Sequence, residues 1–148
     1  MREIKFRAWV KPLMKMAEVN GWLKGTVFLS ADSGEGSRDM TDIELMQFTG
    51  LKDKNGVEIY EGDIVKLLQR DWPSQLDSYP ELSHEQYLDM LALRLVVSFK
   101  RGSFVMAHSI DDEAYYQTFD YGGYKDIFEV VGNIYENPEL LATKGKTE

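Results

Sequence analysis

A mainly β fold is what this sequence predicts, on three observations. The opening segment alternates apolar and polar residues with the period of a half-buried strand: Ile4, Phe6, Ala8 and Val10 point one way, and Lys5, Arg7 and Trp9 the other. Short apolar runs recur between glycine-, asparagine- and proline-containing turns, as at Asn55-Gly56, Glu61-Gly62-Asp63 and Arg101-Gly102. One stretch alone has helical spacing, Tyr87, Leu88, Leu91 and Leu95 behind the Ser83-His84-Glu85-Gln86 capping box, which gives a single short inserted helix over about 84–93. With 148 residues, 43% of them hydrophobic, the chain can bury about 68–70% of its unfolded surface in one compact unit with two lobes.

In chain order, Pro12 ends the first strand. Met14 and Met16, flanking Lys15, start a return strand, so a hairpin turns around Lys11 to Leu13. Trp22 to Leu29 reads as a third strand, followed by the small polar loop Asp32-Ser33-Gly34-Glu35-Gly36-Ser37, which is expected to be mobile. Ile43, Leu45 and Phe48 lead into Asn55-Gly56, read as a type I′ turn because both residues tolerate positive φ. Ile64 to Leu68 leaves the next turn as a strand. Pro73 and Pro80 punctuate a polar connection to the inserted helix, and Leu95, Val97 and Phe99 alternate as a strand that turns at Lys100-Arg101-Gly102-Ser103 and returns over Phe104 to Ala107. Asp111 to Tyr124 reads as a long hairpin or loop, and Phe128 to Tyr135 as the last strand. Asn137 caps a helical turn whose first position is Pro138, where the missing N–H costs nothing, and residues 142–148 form a frayed polar tail.

The charge balance and the absence of cysteine exclude several kinds of chemistry. A net charge of −8 works against a broad phosphate-binding surface, so nucleic acid is an unfavoured partner. Six basic residues against two acidic ones fall in the first 25 positions, whereas Gly102 to Tyr124 holds Asp111, Asp112, Glu113 and Asp120 and no lysine or arginine. Two such patches suit head-to-tail self-association as well as plain solvation. Without cysteine there are no disulfides, thiolate metal sites or cysteine nucleophiles, in keeping with a reducing cytoplasm. The charged opening residues lack the apolar region of a secretory leader, and no run of 18 apolar residues exists to span a membrane.

Candidate chemistry is thin. His84 belongs to the first turn of the predicted helix. His108 stands near Asp111, Asp112 and Glu113, which could hold a cation if the backbone wrapped around it, but a short acidic turn explains the same letters, and no metal ligand is assigned. Phosphate-binding glycine loops, hydrolase nucleophile elbows and calcium loops with a terminal glutamate are absent. No catalytic residue and no cofactor follow. Tyr115, Tyr116, Tyr121 and Tyr124 with Phe119 form the densest aromatic cluster, in an acidic setting unlike a base-stacking groove; Trp9, Tyr115 and Tyr116 are the interface candidates, because aromatic groups dominate binding hot spots.

Three blocks resemble the YopX family of phage and prophage proteins: Arg2-Glu3-Ile4-Lys5-Phe6-Arg7-Ala8-Trp9, the run from Leu45-Met46-Gln47-Phe48-Thr49-Gly50-Leu51 through Asp53-Lys54-Asn55-Gly56 and Tyr60-Glu61-Gly62-Asp63 to Lys66, and Val131-Gly132-Asn133-Ile134-Tyr135-Glu136-Asn137-Pro138-Glu139-Leu140-Leu141. They lie in the family's order and reach nearly end to end. Val10-Lys11-Pro12-Leu13 departs from the family's lysine-rich turn, and the connection from Gln69 to Met90 is variable there. The resemblance implies an amino-terminal β-hairpin lobe (1–49) and an SH3-like barrel lobe (50–141) carrying the helical insertion. It also implies homo-oligomers, no defined catalytic residues, and work in the bacterial host cytoplasm. Gly50, Gly56 and Gly62 become turn positions and Asp63 a turn-capping acceptor. The function expected is therefore that of a non-enzymatic, homo-oligomeric protein-interaction module, acting on itself or on a host or phage protein. The competing readings are a nucleic-acid-associated SH3-like barrel protein, an acidic DNA mimic, and an enzyme with an unrecognised site around His108.

Overall fold

The computed structural model describes residues 3–30, 36–67, 94–107, 117–118 and 128–141. The fold is mainly β: two antiparallel sheets with three short 3-10 turns and no α-helix among the described residues. The predicted helix over 84–93 and the tail from Ala142 lie outside the described residues. The chain divides into two compact units, residues 1–50 and 51–148.

The first sheet contains β1 (Phe6–Val10), β2 (Lys15–Leu23), β3 (Thr26–Leu29), β4 (Ser37–Asp39), β5 (Ile43–Lys52) and β6 (Glu58–Tyr60), in the order β4-β3-β2-β1-β5-β6. β1 and β2 form the expected hairpin, closed by the 3-10 turn Lys11–Leu13 with Met14 at φ 50°. In the β1 ladders Ala8 faces Ala17 and Leu45, and Val10 faces Ile43, which puts their side chains on one face of the sheet. There they pack with Val27 and Leu29 into the core of the amino-terminal unit. Phe6 closes this core edge-on against Trp22, with ring centroids 5.1 Å apart.

Trp22 to Leu29 is not one strand. Lys24 at φ 48° and Gly25 at φ 82° make a two-residue turn with Leu23 opposite Thr26, so β2 runs on through Leu23 and β3 returns beside it. Both central residues have positive φ, which matches the right-handed twist of the strands. The register also slips between Val19 and Gly21, an extra residue in β2 that puts Trp22 on the core face and Leu23 on the other.

The Asn55-Gly56 turn is likewise not type I′. Gly56 has φ 79° but Asn55 is not in the left-handed region. The Gly56 N–H donates to the Asp53 carbonyl and the Asp53 N–H to the Val57 carbonyl, so the loop is a three-residue type I turn closed by a glycine bulge.

In the second unit β7 (Asp63–Leu67), β8 (Arg94–Lys100), β9 (Ser103–Ala107) and β10 (Gln117–Thr118) form a meander, and β11 (Phe128–Asn133) returns beside β7. The order β10-β9-β8-β7-β11 is an open sheet, and among the described residues no ladder closes it into the predicted barrel. One face carries Val65, Leu95, Val97, Phe104 and Met106, packed with Ile59 and Phe128. Ile64, Val96, Val105 and Ala107, on the other face, are buried as well. A strand covered on both faces needs a continuous apolar run, which is why Leu95-Val96-Val97 shows little alternation.

Candidate interaction surface

Four polar residues of the resembling blocks, Asp53, Asp63, Asn133 and Asn137, are spent on the backbone of the fold. Buried Asp53 accepts three main-chain N–H groups: Oδ1 takes those of Asn55 (2.8 Å) and Val57 (2.9 Å), and Oδ2 that of Val130 (3.0 Å), 77 residues away. Together with the bond from the Lys54 N–H to the Phe128 carbonyl, this fastens the 53–57 turn along β11. It also blunts a strand that would otherwise offer an unpaired edge. Asp63, almost fully buried, accepts the Tyr60 N–H at 2.8 Å, and Gly62 at φ 78° donates to the Val97 carbonyl while its own carbonyl accepts the Ile134 N–H.

The last block works the same way. Asn133 Oδ1 accepts the N–H groups of Tyr135 and Glu136, and Asn133 Nδ2 donates to Glu136. Asn137 precedes the 3-10 turn Pro138–Leu140 as expected, but its side chain does not cap it. It turns back to accept the Asn133 N–H at 3.3 Å and lies across Gly132, where a Cβ would stand 2.5 Å from Asn137 Oδ1. Gly132 is thus glycine for space, and Asn137 is drawn away from the cap by the N–H behind it.

Three charged side chains of the second unit pair in the same frame. Lys66 and Lys54 both reach Glu129, at 3.1 and 3.5 Å. The hydrogen bond from Lys66, with the positive charge of Lys54, holds the Glu129 carboxyl below the usual carboxylate range. Among the described residues no three metal-ligating side chains gather in one place. No helix among them is long and apolar enough to cross a membrane.

What the fold leaves unspent is apolar surface, most of it on the amino-terminal unit, with Val57 and Phe99 exposed on the second. Around the Lys24-Gly25 turn, Leu23 is 63% exposed, Trp22 52% and Phe28 44%, with Met40 partly exposed beside them, its N–H bonded to the Gly25 carbonyl. Phe28 and Leu23 share the face opposite the core, and the residue across the ladder from Phe28 is Gly21. A Cβ on Gly21 would meet nothing within 4 Å, so Phe28 has no side chain beside it at that position. Leu13 and Met14 expose a second, smaller apolar group at the β1–β2 turn.

Of the sequence-derived candidates, Trp9 alone is among the described residues. Trp9 lies on β1 between Met16 and Glu44 and is 8% exposed, on the face opposite Ala8 and Val10. His84, His108, Tyr115 and Tyr116 lie outside the described residues. Leu23 and Phe28 were hidden by reading Trp22 to Leu29 as one strand. Reading Lys24-Gly25 as a hairpin turn would have set them on one face.

The YopX protein family model matches residues 5–142. No curated protein matches the chain. Among solved structures, the crystal structure of protein EF1440 from Enterococcus faecalis is similar, with a TM-score of 0.60 and 23% identity, over 95% of this chain and 99% of that one. At that identity the likeness speaks for the fold alone. A match over nearly the whole length, with the matched polar residues holding the turns and strand ends just described, makes this chain a member of the YopX family.

Proposed function

We propose that the chain is a non-enzymatic protein-interaction module that assembles with copies of itself, encoded by a phage or prophage and working in the bacterial host cytoplasm. One observation carries this reading. Four polar side chains of the family blocks, Asp53, Asp63, Asn133 and Asn137, are each bonded to the chain's own backbone, while large apolar groups stand exposed on one hairpin. Polar groups so engaged are poor candidates for chemistry, and exposed aromatic and aliphatic groups are what protein interfaces bury. The second unit is read as the scaffold, of SH3-like type; its meander, with the last strand returning beside the first, supports that reading.

Light scattering at micromolar concentration tests the assembly, and the expected mass is a multiple of 17.1 kDa. A mobility-shift assay with duplex DNA is expected to show no binding at physiological salt, given the charge of −8. A monomer mass would refute the self-assembling module. Micromolar DNA binding that falls steeply with salt would put a nucleic-acid role in its place.

A further inference from the structure

We infer that two copies meet about a two-fold axis through the β2–β3 hairpin, on the face that carries Leu23 and Phe28, each copy filling the space over the other's Gly21. This inference rests on the proposed self-assembly.

Three features point to a second copy as the occupant. The first is charge. Residues 1–50 hold seven basic and seven acidic residues, whereas residues 51–148 hold ten and eighteen, so the net charge of −8 belongs entirely to the second unit. Identical copies meeting through the second unit would bring like charge together, and only the neutral amino-terminal unit offers apolar groups without that repulsion. The second is the reach of the hairpin. The ladder to β1 ends at the Phe6–Val19 pair, and β2 runs on through Leu23, so Gly21 to Leu23 pair with β3 and the end of the hairpin extends past β1. The third is the shape of the surface. Phe28 faces Gly21 across the ladder, with open space above the glycine. Glycine inside a strand costs about 0.5–1 kcal/mol relative to alanine. Gly21 does not have a positive φ and has room for a side chain, so nothing among the described residues calls for glycine there. A partner's side chain seated beside Phe28 would call for it, and in a two-fold contact each copy supplies both the space and the filler.

Three variants of the full chain test this. Gly21→Val adds a β-branched side chain to a strand position with room for it, so it is expected to keep or raise the thermal midpoint at low concentration while lowering the assembled fraction at least tenfold. Phe28→Glu is expected to do the same to assembly. Leu23→Cys exploits a chain without cysteine: a short bismaleimide is expected to link two copies through it efficiently. Val57→Cys, on an exposed position of the other unit, is expected to link poorly. Assembly of Gly21→Val at wild-type strength, or linking through Val57→Cys as readily as through Leu23→Cys, would overturn the hairpin interface while leaving self-assembly standing. A wild-type chain that stays monomeric would instead remove the parent reading. Should Phe28→Glu lose its fold by circular dichroism, Gly21→Val and Leu23→Cys still decide the matter.

Discussion

Replacing Asp53 by alanine removes the acceptor for three backbone N–H groups at one stroke, those of Asn55, Val57 and Val130. A hydrogen bond to a charged group contributes about 1.5–3 kcal/mol net, so the undiscounted loss is roughly 5–9 kcal/mol. Two of the three donors belong to a surface turn that water can reach once the carboxylate is gone. Most of their loss is recovered, which leaves about 3 kcal/mol, chiefly from Val130 and from the loosened junction of the turn with β11. Asp53→Asn keeps the shape but must aim its amide donor at one of the N–H groups, and about 2 kcal/mol is expected. Against a total stability of about 5–15 kcal/mol either loss is large. Urea denaturation followed by tryptophan fluorescence measures it: at a slope of about 1.5–2 kcal/mol/M, Asp53→Ala should lower the midpoint by roughly 1.5–2 M. Lys54→Ala, which leaves Lys66 on Glu129, should hardly move it. An Asp53→Ala midpoint within about 0.3 M of wild type, equivalent to roughly 0.5 kcal/mol, would refute the view that this carboxylate fastens the turn to β11.

Gly56→Val places a β-branched residue at φ 79° and is expected to cost about 2–3 kcal/mol, whereas Asn55→Ala, at ordinary φ, should cost under about 0.5; equal melting temperatures for Gly56→Val and wild type would refute the bulge geometry. Gly132→Ala should cost about 1–2 kcal/mol by displacing Asn137, and adding Asn137→Ala should recover part of it in a double-mutant cycle; strict additivity would show that the two do not meet. Ser98 Oγ is buried with no hydrogen-bond partner among the described residues, so Ser98→Ala is expected to be neutral or stabilising by up to about 1 kcal/mol, and a marked drop in midpoint would refute that. Because the Glu129 carboxyl lies below its unfolded value when folded, its contribution is present above the unfolded pKa and is lost as pH falls through the folded one; Glu129→Gln should flatten the acid limb of the stability–pH curve, and an unchanged limb would argue against the Lys66 bond.

The fold was legible wherever local chemistry decides it. The strand over residues 6–10, the break at Pro12 and the turns at Gly62 and Arg101-Gly102 stand where expected, because each depends on a φ preference or a period of two, whereas Ile4 lies outside the strand and is exposed. Lys24-Gly25 has the same form as Arg101-Gly102, a basic residue and a glycine both at positive φ, and was passed over only because Trp22 to Leu29 was read as one apolar run. Asn55 was over-read for the converse reason: its tolerance of positive φ went unused once Asp53 supplied acceptors that close a three-residue loop. The candidate surface was least legible. Phe28 alternates with the core residues Val27 and Leu29 and so faces away from the core, while the slip in β2 sets Gly21 opposite it, and an apolar residue looks the same in sequence whether it faces the core or the solvent.

The central claim, that the family's polar residues hold the fold while the β2–β3 hairpin makes the contact, is tested most directly by hydrogen exchange on the wild-type chain across a dilution series. Backbone amides of Gly21 to Phe28 should lose protection in step with the fall in assembled fraction, while those of Asn55, Val57 and Val130 should stay equally protected throughout. Hairpin protection that ignores concentration, or loss of protection at Asn55, Val57 and Val130 as copies separate, would contradict it.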